Sequence, residues 1–187
     1  MKKLIPAFGL LLILSFSLEA QDISGVNLVI NNRTTHNFAA GSLSDIELNQ
    51  LIQAAIQTPS AANRQPWYFT VVRTPALARQ LIPRDYQEGN VIFVISAEGD
   101  GRTNGVQILD CALAAQSINL AAQTLRLGSL ILTGPIANVN TNHKAALGLP
   151  QGHNAIVIVQ VGRKAAGVDA TTRASSRKEG NAVVTYK

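Results

Sequence analysis

The chain has 187 residues, of which 47% are hydrophobic and only 14% are charged, a composition that suits one domain with a sizeable core. Its formal net charge is +5, but aromatic residues make up 5% and do not interleave with the basic ones, which argues against a nucleic-acid-binding surface. Cys111 is the only cysteine, so no disulfide forms within the chain and packing must hold the fold together.

The first 20 residues have the features of a secretory signal peptide. Lys2 and Lys3 precede an apolar run from Leu4 to Phe16, and Ala20 ends the short polar stretch that follows. A positive start, a short apolar centre and a final small residue are typical of such signals, and the run is too short for a transmembrane span. We therefore expect a signal peptide at 1–20, a single mature domain at 21–187, export to the periplasm and no membrane attachment after cleavage.

An early polar segment contains the residue types that bind a phosphate. The apolar run 23–30 fits helix and strand patterns only in part, and the segment 31–38 follows it with Arg33, Thr34 and His36. A cation, a hydroxyl and an imidazole near a helix end can form short, strong hydrogen bonds to a phosphate. A polar surface loop is the alternative that these residues leave open.

The loop after the next helix is bracketed by two prolines. Ser44 to Glu47 is a capping-box pattern that begins this helix, which is predicted to end near residue 57. Pro59 and Pro66 restrict the backbone on both sides of the loop. Between them lie two primary amides, which combine donors with an acceptor and so suit the imide edge of a planar ring; they are Asn63 and Gln65. A plain connection with a buried Trp67 is the alternative.

The remaining pattern alternates strands and helices, without a repeat or a linker. Strands are predicted at 68–73, 90–96 and 155–162, and helices at 75–81, 109–127 and 138–149. The second strand is continuously apolar, as in a central strand that is buried on both faces. The long helix is apolar on nearly all sides, which places it in the core or in a subunit interface. This order indicates an α+β fold with helices on the faces of a sheet.

Three later features are weaker signals. Gly128 is the predicted C′ residue that ends the long helix. Thr133 and Gly134 lie before a proline, in what the residues alone describe as a simple turn. Arg177 lies in a late basic stretch that is either part of an anion site or a solvated cluster.

Other chemistries find little support in the sequence. The glycine-rich segment 98–105 misses the dinucleotide-binding spacing by one residue and lacks the βαβ order. No Gly-x-Ser-x-Gly elbow accompanies Ser129, which argues against a serine hydrolase. His36, His143 and His153 show no metal-ligand spacing, so we expect no metal site and solvated surface histidines.

One string is more specific than these single motifs. The run from Pro59 to Trp67, Pro-Ser-Ala-Ala-Asn-Arg-Gln-Pro-Trp, resembles the signature of the nitroreductase family of flavin enzymes. The segment 32–38 is similar to the phosphate motif of that family, with Asn32 at the position of its first arginine and His36 in place of a permanent cation. The residues from Asp110 to Ser129 are similar to the central helix of the family.

The resemblance implies a nitroreductase-like fold, in which a single antiparallel or mixed sheet is flanked by helices and the run 23–30 is a first helix. It also implies FMN as cofactor and a homodimer with two FMN sites at the subunit interface. The residues that match cofactor-binding positions of the family are Arg33, Thr34, His36, Ser60, Asn63, Gln65, Thr133, Gly134 and Arg177.

The implied activity is that of an FMN-dependent oxidoreductase. Hydride or electrons would pass through flavin N5 from a small-molecule donor to a nitroaromatic, quinone or similar acceptor. NADH or NADPH is the usual donor in the family, which conflicts with export because both are cytoplasmic. No residue is marked as a catalytic acid or base. The alternative is an exported flavin-binding or non-catalytic protein on the same scaffold.

Overall fold

The computed structural model describes residues 24–99, 104–166 and 177–187. Within these residues the helices are α1 (Ser24–Ile30), α2 (Asp45–Ile56), α3 (Pro75–Leu81), α4 (Gly105–Thr124) and α5 (Ile136–Asn142). The strands are β1 (Phe38–Ala39), β2 (Trp67–Val72), β3 (Val91–Glu98), β4 (Gly128–Leu132) and β5 (His153–Lys164). The predicted signal peptide and the middle of the glycine-rich segment, residues 100–103, lie outside the described residues. No helix in the described part combines the length and apolar character needed to cross a bilayer.

The five strands form one antiparallel sheet in which β5 contacts three others. The order is β1-β5-β3-β2, and β4 pairs with β5 beside β1. The 12 residues of β5 make this possible: Lys164 pairs with Phe38, while the stretch from Ile158 to Gly162 pairs with β4. The predicted α+β architecture with an antiparallel sheet is confirmed.

Helices cover both faces of the sheet because the central strands alternate between two apolar cores. Val91, Phe93 and Ile95 of β3 pack in the core with α2 and α4, whereas Ile92 and Val94 pack in the core with α3 and α5. Successive side chains of a strand point to opposite faces, so a strand that serves both cores must be continuously apolar. The predicted double burial of this strand is confirmed.

The long helix differs from its prediction at both ends. It begins at Gly105, where the Asn104 side chain accepts a hydrogen bond from the Gln107 N–H. It ends in a Schellman pattern, with the Leu127 N–H bonded to the Ala122 carbonyl at 2.8 Å. The left-handed C′ residue is Arg126, at φ 59°. The prediction that Gly128 holds this position was wrong, since Gly128 is already the first residue of β4.

Two polar residues outside the predicted strand 155–162 belong to strand β5. Arg163 lies inside the strand and binds Glu47. His153 begins the strand and is half-buried, with its Nδ1 3.4 Å from Ser96 Oγ. It is thus only partly solvated, because β5 extends two residues further at each end than its apolar run. Helix α5 is also shorter than predicted and ends at Asn142.

Candidate functional site

The proline-bracketed loop has an unusual backbone. Three of its residues that are not glycine have positive φ angles: Ala62 at 51°, Asn63 at 53° and Gln65 at 48°. Only asparagine among them adopts this left-handed region readily. Such backbone strain persists only where the surrounding structure holds it, and it occurs often at functional sites.

Hydrogen bonds inside the loop order its two amides against each other. The Gln65 N–H donates to Ser60 Oγ at 2.9 Å, which closes the loop. The Gln65 side-chain Nε2 donates to Asn63 Oδ1 at 3.1 Å. Both side chains are exposed. The loop therefore presents a preordered amide pair to solvent, which is the hydrogen-bonding surface predicted from its composition.

An open apolar cleft lies beside this amide pair. It has a volume of about 460 Å³, and Gln65 lines it together with Ile52, Ile56, Trp67 and Phe69. The Trp67 and Phe69 rings are tilted against each other, with centroids 6.1 Å apart. A polar edge next to an apolar, aromatic wall suits a planar ring that carries hydrogen-bonding groups on one side.

The predicted phosphate segment runs along the start of β4. The Thr35 N–H donates to the Ser129 carbonyl at 2.9 Å, and the Thr35 side chain is buried. Thr34 and His36 on either side of it are exposed, because successive side chains of an extended segment alternate in direction. Arg33 is half-buried, and its Nη1 donates to the Asn32 carbonyl at 2.9 Å. The segment thus offers one hydroxyl, one imidazole and part of a guanidinium to a ligand.

Asn32 is turned into the protein. Its Oδ1 accepts hydrogen bonds from Asn119 Nδ2 at 3.1 Å and from Gln123 Nε2 at 2.9 Å. Gln123 also donates to the Arg33 carbonyl at 2.8 Å, and Asn119 accepts a short hydrogen bond from Ser129 Oγ. The Asn32 Nδ2 atom is buried without a partner among the described residues. Asn32 therefore ties the phosphate segment to α4.

Sequence reasoning missed the α4 residues that hold both segments. Asn119 and Gln123 hold residues 32 and 33, and Asp110 accepts the Ala61 N–H at 3.1 Å. The available signal was a polar side chain at a buried position of an otherwise apolar helix: Asp110 is 4% and Asn119 is 8% exposed. Buried polar groups of this kind normally have a specific partner.

The two segments lie on opposite sides of α4. Asp110 and Asn119 are nine residues apart, which corresponds to about 14 Å along the helix axis and about 180° around it. The amide loop, which is the proline-bracketed loop 59–66, and the phosphate segment 32–38, also called the Arg33 segment, therefore flank the helix at different heights and on different sides. The structure does not bring these two groups of predicted site residues together within one protomer.

The remaining predicted site residues lie elsewhere. Thr133 and Gly134 form an exposed turn after β4, in which the Thr133 carbonyl accepts the Ile136 N–H at 3.1 Å. Gly134 lines an open cleft with Ile82 and Arg84, away from the amide loop. Arg177 is exposed at the start of the segment 177–187. Across the described parts of the chain, no group of three acidic, histidine or cysteine side chains could hold a metal ion.

One face of α4 is apolar and exposed. Val106 is 44%, Leu109 65% and Leu113 47% exposed, and their spacing of three and four residues places them in one stripe. The opposite face packs in the core through Cys111, Ala114, Ala115, Ile118 and Ala122. The stripe lies between the flank that carries Asp110 and the flank that carries Asn119.

Comparison with known proteins identifies a family whose model matches most of the chain, including the amide loop. Residues 30–94 and 84–163 match the model of the Nitroreductase family. An Archaeoglobus fulgidus protein, provisionally named an NADH dehydrogenase/NAD(P)H nitroreductase, is 24% identical over 147 residues, which span 73% of this chain and 83% of the relative.

Solved structures share the same fold. A nitroreductase with bound FMN from Bacteroides fragilis has a TM-score of 0.71 at 18% identity, covering 87% of this chain and 98% of that chain. NfrA1 from B. megaterium has a TM-score of 0.74 at 22% identity, covering 88% of this chain and 74% of that chain. The predicted nitroreductase-like fold is confirmed.

Proposed function

The chain belongs to the nitroreductase family, and we propose that it is an FMN-dependent oxidoreductase acting between a small-molecule donor and a small-molecule acceptor such as a nitroaromatic or a quinone. The observation that carries this proposal is the strained loop that holds Asn63 and Gln65 as an ordered amide pair beside an apolar cleft. A loop built to order two exposed amides is difficult to explain by folding alone.

The residues present fit a flavin at two kinds of contact. The exposed amide pair offers donors and an acceptor to the polar edge of the ring, and the apolar cleft beside it can cover a ring face. Arg33, Thr34 and His36 would hold the phosphate. When bound, the flavin would supply the redox chemistry through hydride transfer at N5. The protein would bind and orient the ring. Because Thr133 and Gly134 lie away from the amide loop of the same protomer, we propose their exposed backbone as a donor only from the other copy in a dimer.

The arrangement of these groups favours a homodimer. Because the amide loop and the Arg33 segment lie on opposite sides of α4, one protomer cannot close both around one flavin. A two-fold axis through the apolar stripe, perpendicular to the line that joins loop and segment, would place the loop of one protomer beside the segment of its partner. Isologous contacts of this kind generate two equivalent sites.

The exposed stripe gives the proposed dimer a driving force. Leu109 is 65% and Leu113 is 47% exposed on one helix face. Apolar surface of this kind is unfavourable in water and suits burial against a second copy. The same stripe lies between the amide loop and the Arg33 segment, each of which is half of a proposed flavin site. One interface would therefore bury the apolar surface and complete both flavin sites. We propose that cofactor binding and dimerisation depend on each other for this reason.

We further propose that the mature protein is exported, on the basis of the signal-like residues 1–20. An exported enzyme does not meet cytoplasmic nucleotides, so its donor would be another small reductant. Stopped-flow reduction of the flavin by NADH, NADPH and reduced quinones, run in parallel, tests this point. Fast reduction by a nicotinamide together with recovery of uncleaved chain from the cytoplasm would contradict export.

The central experiment is an absorbance scan of purified protein with and without added FMN. We expect a yellow protein with flavin bands, release of the flavin on denaturation, and one flavin per chain at saturation. Purified protein that stays colourless and binds no FMN at saturating concentration would overturn the proposed function. Flavin binding without turnover of any donor and acceptor pair would restrict the protein to a binding role.

A further inference from the structure

Asp110 caps the amide loop from a different element. Its carboxylate is almost fully buried in the first half of α4, and Oδ1 accepts the Ala61 N–H at 3.1 Å across 49 residues of chain. Ala61 is the first residue of the short 3-10 turn Ala61–Asn63. The first N–H groups of a helical turn have no partner within it, so an acceptor from outside the turn is needed.

This cap leaves Ser60 available for another bond. Ser60 is the N-cap residue of the turn, yet its side chain makes no capping hydrogen bond. Its hydroxyl oxygen instead accepts the Gln65 N–H at 2.9 Å. The buried carboxylate therefore allows the serine to close the loop, and loop closure brings Gln65 to Asn63.

The strained backbone lies entirely between these two anchors. Ala62, Asn63 and Gln65 have positive φ angles, and the cap on Ala61 and the Ser60 bond hold the two ends of that stretch. Strained conformations persist where neighbouring contacts over-determine them. A carboxylate oxygen is a stronger hydrogen-bond acceptor than a neutral oxygen, which suits Asp110 to this task.

We propose that Asp110 is a positioning residue that sets the geometry of the Asn63–Gln65 amide pair and thereby the affinity for the flavin ring. This inference rests on the proposed function, and it adds a residue that touches only the backbone of the loop. Loss of the carboxylate frees the Ala61 peptide, lets the strained turn relax and removes the alignment of the two amides. The ring end of the site loses affinity, and the phosphate end does not.

The chain supplies a matched control on the same helix. Ser117 lies seven residues after Asp110, on the same face of α4, and its hydroxyl bonds Thr58 Oγ1 at 2.8 Å. This second tether attaches the chain just before the loop, without contact to the strained residues. Ser117→Ala thus weakens the attachment of the loop to α4 but leaves the Ala61 cap intact.

The experiment measures dissociation constants of FMN and of riboflavin for the wild-type protein, Asp110→Ala, Asp110→Asn and Ser117→Ala. We expect Asp110→Ala to weaken both flavins by the same factor, about tenfold, since tenfold corresponds to about 1.4 kcal/mol. Asp110→Asn keeps a neutral acceptor, so its dissociation constants should lie between those of Asp110→Ala and those of the wild-type protein. Ser117→Ala should stay within about twofold of wild type. A defect at the phosphate end would lower the affinity for FMN alone.

Amide hydrogen exchange in the flavin-free protein provides a second readout. The Ala61 and Gln65 amides should exchange faster in Asp110→Ala, while the sheet amides keep their protection and show that the variant folds. Unchanged exchange in the loop, or flavin constants within twofold of wild type in folded Asp110→Ala, would overturn the inference. Failure of the wild-type protein to bind any flavin would instead overturn the proposed function, and the exchange experiment would still report on the cap.

Discussion

Thr35 packs against Gly128 so closely that a Cβ atom on residue 128 would lie 2.6 Å from Thr35 Cγ2. The neighbouring Ser129 carbonyl accepts the Thr35 N–H at 2.9 Å. The contact seals the extended phosphate segment to the edge of the sheet and turns Thr34 and His36 outward. Glycine is required at residue 128 for this close approach, and its φ angle is not in the left-handed region.

Gly128→Ala should destabilise the protein by about 1–3 kcal/mol, the usual cost of forcing a methyl group into a packed site. Urea unfolding measures this loss. Thr35→Ala removes the γ atoms that the new methyl group would meet, so the double variant should be more stable than the sum of the two single effects allows. Strictly additive effects would show that the two residues are not in the proposed contact.

The Glu47–Arg163 pair should make stability depend on pH in the acid range. The two bonds, 2.6 and 2.8 Å long, place the guanidinium against both carboxylate oxygens. The hydrogen bond from Arg163 is the main cause that lowers the pKa of Glu47 from 4.5 to about 2, and bonds from Ser44 add to it. A carboxyl with a lowered folded-state pKa stabilises the protein above its unfolded pKa, and this contribution is lost as the pH falls through the folded one.

Glu47→Gln keeps the helix cap and removes the charge. It should lower the free energy of unfolding by about 1–2 kcal/mol at pH 7, which is the range for a hydrogen bond to a charged group after allowance for partial exposure. The difference from wild type should shrink between about pH 5 and pH 2. Denaturant titrations at pH 7, 4 and 3 measure it. Asp45→Asn removes the exposed pair with Arg73 and should change stability little at every pH. An equal cost of Glu47→Gln at pH 7 and pH 3 would contradict the assignment.

Asn63→Ala should weaken flavin retention because it removes one member of the amide pair. Alanine is also unfavourable at φ 53°, so the variant alone does not separate the lost amide from a distorted backbone. Asn63→Gly removes the same amide but accepts this backbone, and it should lose flavin to a similar extent. The flavin-to-protein absorbance ratio after gel filtration measures retention. Gln53→Ala, an exposed amide on α2, serves as control, and full retention by Asn63→Gly would contradict a ring contact.

Leu109→Glu should dissociate the proposed dimer and release the flavin together. Leu109 is 65% exposed in the protomer, so a charge there leaves the fold intact but is costly in an apolar interface. Sedimentation velocity measures the change in mass, and absorbance measures the flavin. Ile46→Glu changes a helix residue outside the stripe that is 72% exposed, and it should alter neither the mass nor the flavin content. A dimeric, yellow Leu109→Glu protein would place the interface elsewhere.

Cys111 should be chemically inert in the folded protein. The thiol is fully buried, and burial together with the nearby charge of Asp110 raises its pKa to about 12. The reactive thiolate is therefore scarce at pH 8, and reagents cannot reach the sulfur. A thiol reagent such as dithionitrobenzoate should label the protein only in denaturant, at the rate of a free cysteine. Rapid labelling under native conditions would contradict the packing of α4.

Several features of this protein follow from short stretches of sequence. The capping box at Ser44 and Glu47, helix α3 and the doubly buried strand β3 depend on neighbouring residues. The first two were predicted as the structure has them, and β3 was predicted with small errors at its ends. The composition of the amide loop also predicted a stiff, polar turn. These features are readable because capping, proline geometry and side-chain alternation act over a few residues.

The tertiary structure decided the rest. Three contacts depend on which distant segments pack together: the cap of Asp110 on Ala61, the bond between Asn32 and Asn119, and the close approach of Thr35 to Gly128. Local periodicity carries no information about those neighbours, since many partners can satisfy the same buried polar group or small residue. The separation of the amide loop from the phosphate segment by α4 is a property of the packed sheet and helices, and it is the observation that supports the proposed site shared between two copies of the chain.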